Sequence, residues 1–346
     1  MKKLYAAIFL LISGGVFAQD IHFSEWWATP VAMNPALTGK FNGLIRGTFA
    51  YRNQWFLIPT LNQTSPYQTM QASVDGSIAS ERLNNNKFGV GLMFFNDKAG
   101  DGSLTTNSAM ASVAYHQAVD RYGKSHLSFG LQAGFVMKQV QYQNLIFESQ
   151  LDGFGWNRNI NSGEAFTGKP IIYPDVNVGV AFASRPTEKF AYNFGASVNH
   201  IAAPRESFLG DESSRINRRF NVHGSLEINA GYDNQWTFVP TLLFMMQGQA
   251  QQYNFGLGIN YQTTNEHLGV FAGAFGRANS KAAFDAAILN AGVDVYNARI
   301  GLAYDINISG LSGASKSQGA LEASIVYIFK RQKDEWIQYP MYCPKF

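Results

Sequence analysis

From Leu127 the chain alternates with a period of two: Leu127, Phe129, Leu131, Ala133, Phe135 and Met137 against Ser128, Gly130, Gln132, Gly134, Val136 and Lys138. Side chains in a strand point alternately to opposite faces, so this segment reads as a strand with one apolar and one lean face. The stretch from Tyr253 sets Tyr253, Phe255, Leu257, Ile259 and Tyr261 against Asn254, Gly256, Gly258, Asn260 and Gln262. Near Ile300, Leu302, Tyr304, Ile306 and Ile308 oppose Arg299, Gly301, Asp305 and Asn307. Fourteen such strands are predicted, centred near Thr48, Ala72, Leu92, Ala111, Leu131, Val180, Gly195, Ser225, Leu242, Leu257, Gly273, Asn290, Ala303 and Ile325. A soluble sandwich also alternates, but its exposed face carries charge. Here the lean face is uncharged and glycine-rich, as a crowded barrel interior requires, and aromatic residues gather near segment ends. The predicted fold class is all-β: a transmembrane antiparallel β-barrel of about 14 strands, closed because an open edge in lipid leaves backbone groups unpaired.

Connection lengths agree with that count. The connections at Asp120–Gly123, Arg185–Thr187, Gly231–Asn234, Thr263–Asn265 and Tyr296–Asn297 are short, as periplasmic turns are, whereas Gln139–Ile172, Ala203–Asn217 and Ser309–Gln318 are long. An even strand count puts both ends of the mature chain on the periplasmic side. The organisation expected is a signal peptide at 1–18, an N-terminal segment at 19–40 lying in the periplasm or packed into the mouth, the barrel at 41–329, and a periplasmic tail at 330–346.

The signal is read from Lys2 and Lys3, the apolar stretch Leu4–Val16 and the small residues around Ala18. Its loss takes the basic residues from 27 to 25 against 24 acidic ones, a net charge of +1 that argues for no nucleic-acid partner. Charged residues are only 15% of the chain, against a usual share of about 25%. Lipid on one strand face and a Gly/Asn/Gln interior on the other account for that deficit.

Two segments stand outside the strand pattern. In 19–40, Pro35 and Gly39 break regular structure, and Trp26 and Trp27 leave two readings open: an entry loop, or a segment packed into the periplasmic mouth. The tail carries Trp336, Ile337, Tyr339, Tyr342 and Phe346, with Pro340 and Pro344 preventing a long helix; it reads as a frayed terminus or a docking segment. Candidate partner-binding residues on the periplasmic side are Trp26, Trp27, Trp336, Tyr339, Tyr342 and Phe346. Arg46, Arg52, Arg299, Glu227, Asp294 and Asp305 include lumen-facing charges, either paired across the lumen or lining a selective pore. No catalytic, cofactor or metal motif is present, and the six histidines lack metal-ligand spacing. The chain reads as no enzyme, with a Ser–His pair assembled across strands as the exception that a sequence hides. Cys343, the single cysteine, is read either as a reactive thiol or as an inert one.

Asn34-Pro35-Ala36 with Gly39, Tyr51-Arg52-Asn53-Gln54-Trp55 in the first strand, Tyr304-Asp305-Ile306-Asn307 late in the chain, and the ending Cys343-Pro344-Lys345-Phe346 together resemble the PorP/SprF family of Bacteroidetes outer-membrane proteins. The resemblance implies a non-enzymatic barrel of the type IX secretion and gliding machinery. It implies as partners other type IX components, a secreted adhesin-like substrate with a C-terminal sorting domain, and a periplasmic peptidoglycan-associated or ring lipoprotein. The alternative is a passive porin or hydrophobic-solute channel, to which the polar lumen is suited.

Overall fold

The computed structural model describes residues 20 and 22–330 except 57–66, 80–85, 101–102, 143–144, 146, 153–154, 158, 164–167, 209–210, 212, 266, 280–283 and 311. The expected signal peptide at 1–18 and the tail from 331 onward, with Trp336, Tyr339, Tyr342, Cys343, Pro344 and Phe346, lie outside the described residues.

Fourteen antiparallel strands run in chain order: β1 (Ile45–Gln54), β2 (Tyr67–Ala79), β3 (Lys87–Ala99), β4 (Leu104–Ala118), β5 (Ser125–Gln139), β6 (Ile171–Ser184), β7 (Phe190–Asn199), β8 (Arg219–Ala230), β9 (Trp236–Gln247), β10 (Ala250–Gln262), β11 (Leu268–Asn279), β12 (Phe284–Val295), β13 (Ala298–Asn307) and β14 (Gln318–Phe329). Each pairs with its sequence neighbours, and β1 closes the barrel on β14 from Ile45↔Phe329 to Gln54↔Ala320. All fourteen expected centres fall inside these strands. The period of two assigns the faces as read: Phe129, Leu131 and Phe135 are exposed on the outer wall, while Ser128 and Gln132 are buried inside. The five short connections gather at the end holding Ile45 and Phe329, and the three long ones at the other. Three short connections also occur at the long-loop end, between β3 and β4, between β9 and β10 and between β11 and β12, so length sorts the two ends only in part.

The lumen is where the structure departs from expectation. Residues 22–40 lie inside it as a folded thread of short helical turns, at Trp26–Ala28, Pro30–Met33 and Pro35–Leu37. These turns satisfy their own backbone, as in Asn34 N–H to the Pro30 carbonyl (3.0 Å) and Thr38 N–H to the Pro35 carbonyl (3.1 Å). Asp20 bonds Gln247 at the long-loop end of β9, whereas Leu44 donates its N–H to the Phe329 carbonyl at the opposite end. The segment therefore traverses the barrel instead of resting at its mouth, and Asp20 and Lys330 lie at opposite ends. An even strand count fixes where the strands end; it does not fix which way the chain before β1 turns.

Apolar contact drives the insertion. Trp26, Trp27 and Met33 form one cluster with Leu243, Met245, Phe275 and Ile288, and Val31 packs into a second with Met93, Met110, Val136 and Tyr173. Trp27 stacks obliquely on Phe275 at 4.8 Å between ring centroids. Glycines on the lumenal face make the room: a Cβ at Gly130 would overlap the Pro35 carbonyl and Ala36 nitrogen, and one at Gly89 the Thr38 carbonyl. Gly130→Val is thus expected to cost about 3 kcal/mol or more, because the thread's backbone cannot give way as a side chain does. Gly47→Ala, with no neighbour within 4 Å, is expected to be neutral. The urea midpoints of the heat-modifiable barrels check both.

The lumen-threading segment and its grip

Each turn of the thread is held by a different arc of the wall. At its start, the Glu322 carboxylate on β14 accepts the backbone N–H groups of Ser24 (2.7 Å) and Glu25 (2.9 Å). Arg52 on β1 is paired with that same carboxylate and with Asp305 on β13 (2.9 Å), and Asp305 also receives Arg277 (2.9 Å) and the Ser24 hydroxyl (2.7 Å). Arg52, Arg277, Asp305 and Glu322 are all buried, and each carboxylate is paired with an arginine, which is what makes these charges tolerable there. Glu25 reaches further, accepting from Ser324 (2.7 Å) and Asn290 (3.1 Å).

Midway, Asn34 is fully buried and uses its whole amide. Its Oδ1 caps the Ala36 N–H (2.9 Å), and its Nδ2 donates to the Val180 carbonyl (3.0 Å), 3.1 Å from His223 Nε2. One side chain so ties the thread to β6 and to β8. At the far end, Gly39 takes a φ of +71° that suits glycine, and donates its N–H to Asp75 (2.7 Å). Arg46 clamps this corner, pairing with Asp75 (2.7 Å) and donating to the Leu37 carbonyl (3.0 Å).

The charges expected in the lumen are therefore largely paired: Arg46 with Asp75, Arg52 with Asp305, Arg185 with Glu227 at 2.7 Å, and Arg299 beside Asp294 at 3.7 Å. Of the motif residues, Asn34, Pro35, Ala36, Gly39, Arg52 and Asp305 converge on the thread. Tyr51 and Tyr304 lie on the opposite strand face from their neighbours Arg52 and Asp305, Gln54 ends β1, and Trp55 sits past that end with its ring edge-on to Tyr67 at 5.3 Å. Trp26 and Trp27 are lumenal, not at the mouth, because the apolar patches that receive them line the inner wall. Sequence reading missed Glu322, Asp75, Arg277 and His223, whose partners described above lie 28 to nearly 300 residues away. The lumenal glycines are the available signal, since a lean face in a crowded interior leaves room for chain as well as for side chains.

A Ser–His pair does occur across strands. The Ser128 hydroxyl is 2.8 Å from His116 Nδ1, but His116 Nε2 is occupied by the Thr38 carbonyl at 2.9 Å, and both residues are completely buried behind the thread. The pair is a lumenal fastening.

At the long-loop end a latch holds Asp20. His200, just after β7, sits 2.6 Å from Asp20 and 2.8 Å from Asp175, with Arg219 3.6 Å from Asp20. Burial works to lower the His200 imidazole, but the Asp20 charge and the Asp175 bond outweigh it and lift it to about 9. Burial likewise works to raise the Asp20 carboxyl, and His200 with Arg219 hold it well below the ordinary range. The raised histidine stabilises the latch fully below its unfolded value of about 6.5 and stops doing so as pH rises through 9; the depressed Asp20 contributes above about 3.9 and is lost as pH falls. Amide exchange at residues 22–24 is accordingly expected to be slowest between about pH 4 and 6.5 and to lose protection through pH 9, after correction for intrinsic exchange. An unchanged profile in His200→Gln would count against the latch.

A closed antiparallel barrel with an apolar outer wall and a polar, filled lumen is an outer-membrane β-barrel. Within that class, the chain belongs to the PorP/SprF family: the family described as type IX secretion system membrane protein PorP/SprF matches residues 15–327. No curated protein matches the chain. Among solved structures, it is similar to the monoaromatic hydrocarbon channel CymD (12% identity, TM-score 0.48, covering 88% of this chain and 94% of that one). A FadL homologue of Pseudomonas aeruginosa gives 10% identity and a TM-score of 0.46 over 87% and 94%. BamA of Haemophilus ducreyi lacking POTRA domains 1–3 gives 7% and 0.41 over 82% and 70%.

Proposed function

We propose that this barrel is a non-enzymatic anchor of type IX secretion, holding an exported adhesin-like substrate with a C-terminal sorting domain at the cell surface and a periplasmic partner below. The observation that carries this reading is the filled lumen: the segment 22–40 occupies the space a passive channel would need, and it is gripped by buried ion pairs from β1, β2, β13 and β14. Family membership supports association with secretion components. The long connections between β5 and β6 and between β7 and β8 offer a broad face for the substrate. Trp336, Tyr339, Tyr342 and Phe346 of the tail offer aromatic groups to a peptidoglycan-associated or ring lipoprotein.

Deleting 336–346 is expected to leave a folded, heat-modifiable barrel and to reduce co-purification of periplasmic partners at least tenfold, while surface substrate is retained on the loops. Quantitative mass spectrometry of pull-downs from solubilised outer membranes reads both. Equal recovery of periplasmic partners with and without the tail removes that role from it. The channel reading predicts instead a steady conductance from the intact chain in planar bilayers.

A further inference from the structure

Beside the thread, in the half of the lumen nearer the long connections, the wall leaves a cavity of roughly 100 Å³ bounded mainly by β3 to β6. Its floor is apolar: Met93 and Met110 face each other across the β3–β4 ladder, with Phe95 and Ala32 alongside. Met93, Phe95 and Asp97 alternate on one face of β3, so Asp97 stands at the rim, about 7 Å along the strand from Phe95.

The charges around the cavity are unequal in their engagement. Lys138 is held by Glu206 at 2.7 Å, His200 by Asp20 and Asp175, and Arg219 leans on Asp20. Asp97 differs: among the described residues its carboxylate has the Thr69 hydroxyl, at 2.6 Å, and no cation within ion-pairing distance. An ionised carboxylate has about four acceptor positions, so most of its capacity is unused. A half-buried carboxylate with spare acceptors, above a pocket of methionine sulfur and an aromatic ring, matches one ligand chemistry: a positive nitrogen on a short apolar body.

We propose that this cavity binds a small primary ammonium compound of about four heavy atoms, its nitrogen on Asp97 and its apolar body between Phe95, Met93 and Met110. An engineered apolar cavity of about 150 Å³ holds the six carbons of benzene, and in the same proportion roughly 100 Å³ holds about four heavy atoms. The inference is independent of the secretion reading, since it rests on the lumen and not on the loops or tail.

Propylammonium is the probe, with 1-propanol and propionate as neutral and anionic controls of similar size, titrated at pH 7 by calorimetry into the full-length barrel in detergent micelles. Propylammonium is expected to bind with a dissociation constant on the order of 1–10 mM, 1-propanol at least tenfold more weakly, and propionate not measurably. Asp97→Asn, which keeps the side-chain shape, is expected to weaken propylammonium about tenfold while leaving 1-propanol unchanged. Ala32→Leu fills the cavity without touching Asp97, and is expected to abolish both. Heat-modifiability establishes that each variant is folded. Failure of propylammonium to bind, equal binding of the three compounds, or an unchanged constant in folded Asp97→Asn overturns the proposal.

Discussion

A chain lacking residues 20–40 is expected to conduct in planar bilayers, in discrete single-channel steps, where the intact barrel is silent. The thread supplies Phe23, Trp26, Trp27, Val31, Met33 and Leu37, all buried against the inner wall. At roughly 1.5–3 kcal/mol each, these six side chains amount to about 10 kcal/mol or more of gross burial, an upper bound because the unfolded chain already hides part of that surface. Its removal also strips Glu322 and Asp75 of backbone donors, and wall charges that were dry become wet. The deletion variant is therefore expected to unfold at markedly lower urea as well as to leak. Silence of a folded deletion variant would show that something other than residues 20–40 closes the barrel. Failure of the variant to reach a heat-modifiable state would assign the thread a still larger part, as the core around which the strands close.

Arg52→Leu is expected to destabilise the barrel by roughly 3–5 kcal/mol, because it leaves Glu322 and a share of Asp305 as buried charges without their nearest cation. Arg277 remains on Asp305, so the cost concentrates on Glu322, which also grips the thread through Ser24 and Glu25. The double variant Arg52→Leu with Glu322→Gln is expected to recover part of the loss, since the orphaned charge is gone; the coupling between the two sites is the quantity of interest. Equilibrium unfolding in urea, followed by the gel shift of the folded barrel, measures all three. Additive losses would mean that the pair is a bystander and the thread is held by packing alone.

Strand number, strand faces and the positions of the long connections were legible in the chain itself. The period of two is a local property, and lipid outside with a narrow interior inside forces it on every strand, so Leu131 or Leu257 reveals its side without knowledge of its neighbours. The motif residues were legible as motifs too, and Arg52 with Asp305 were marked as lumenal. What they do there was not. Arg52 meets Asp305 from 253 residues away and Glu322 from 270, and a pairing of that separation is set by barrel closure, β1 against β14.

The sequence by itself determined a closed barrel of paired, alternating strands, because alternation and backbone satisfaction in lipid admit little else. Only the tertiary structure decided what fills it. Gly130, Gly179 and Gly89 are equally compatible with water and with the packed chain of residues 34–39, and Trp26 and Trp27 with any apolar surface. The choice between a wet lumen and a threaded one depends on the apolar patches around Leu243, Met93 and Phe275 standing together with unspent acceptors on Glu322 and Asp75. Those groups come from strands far apart in the chain, and they share a volume only once the barrel has closed.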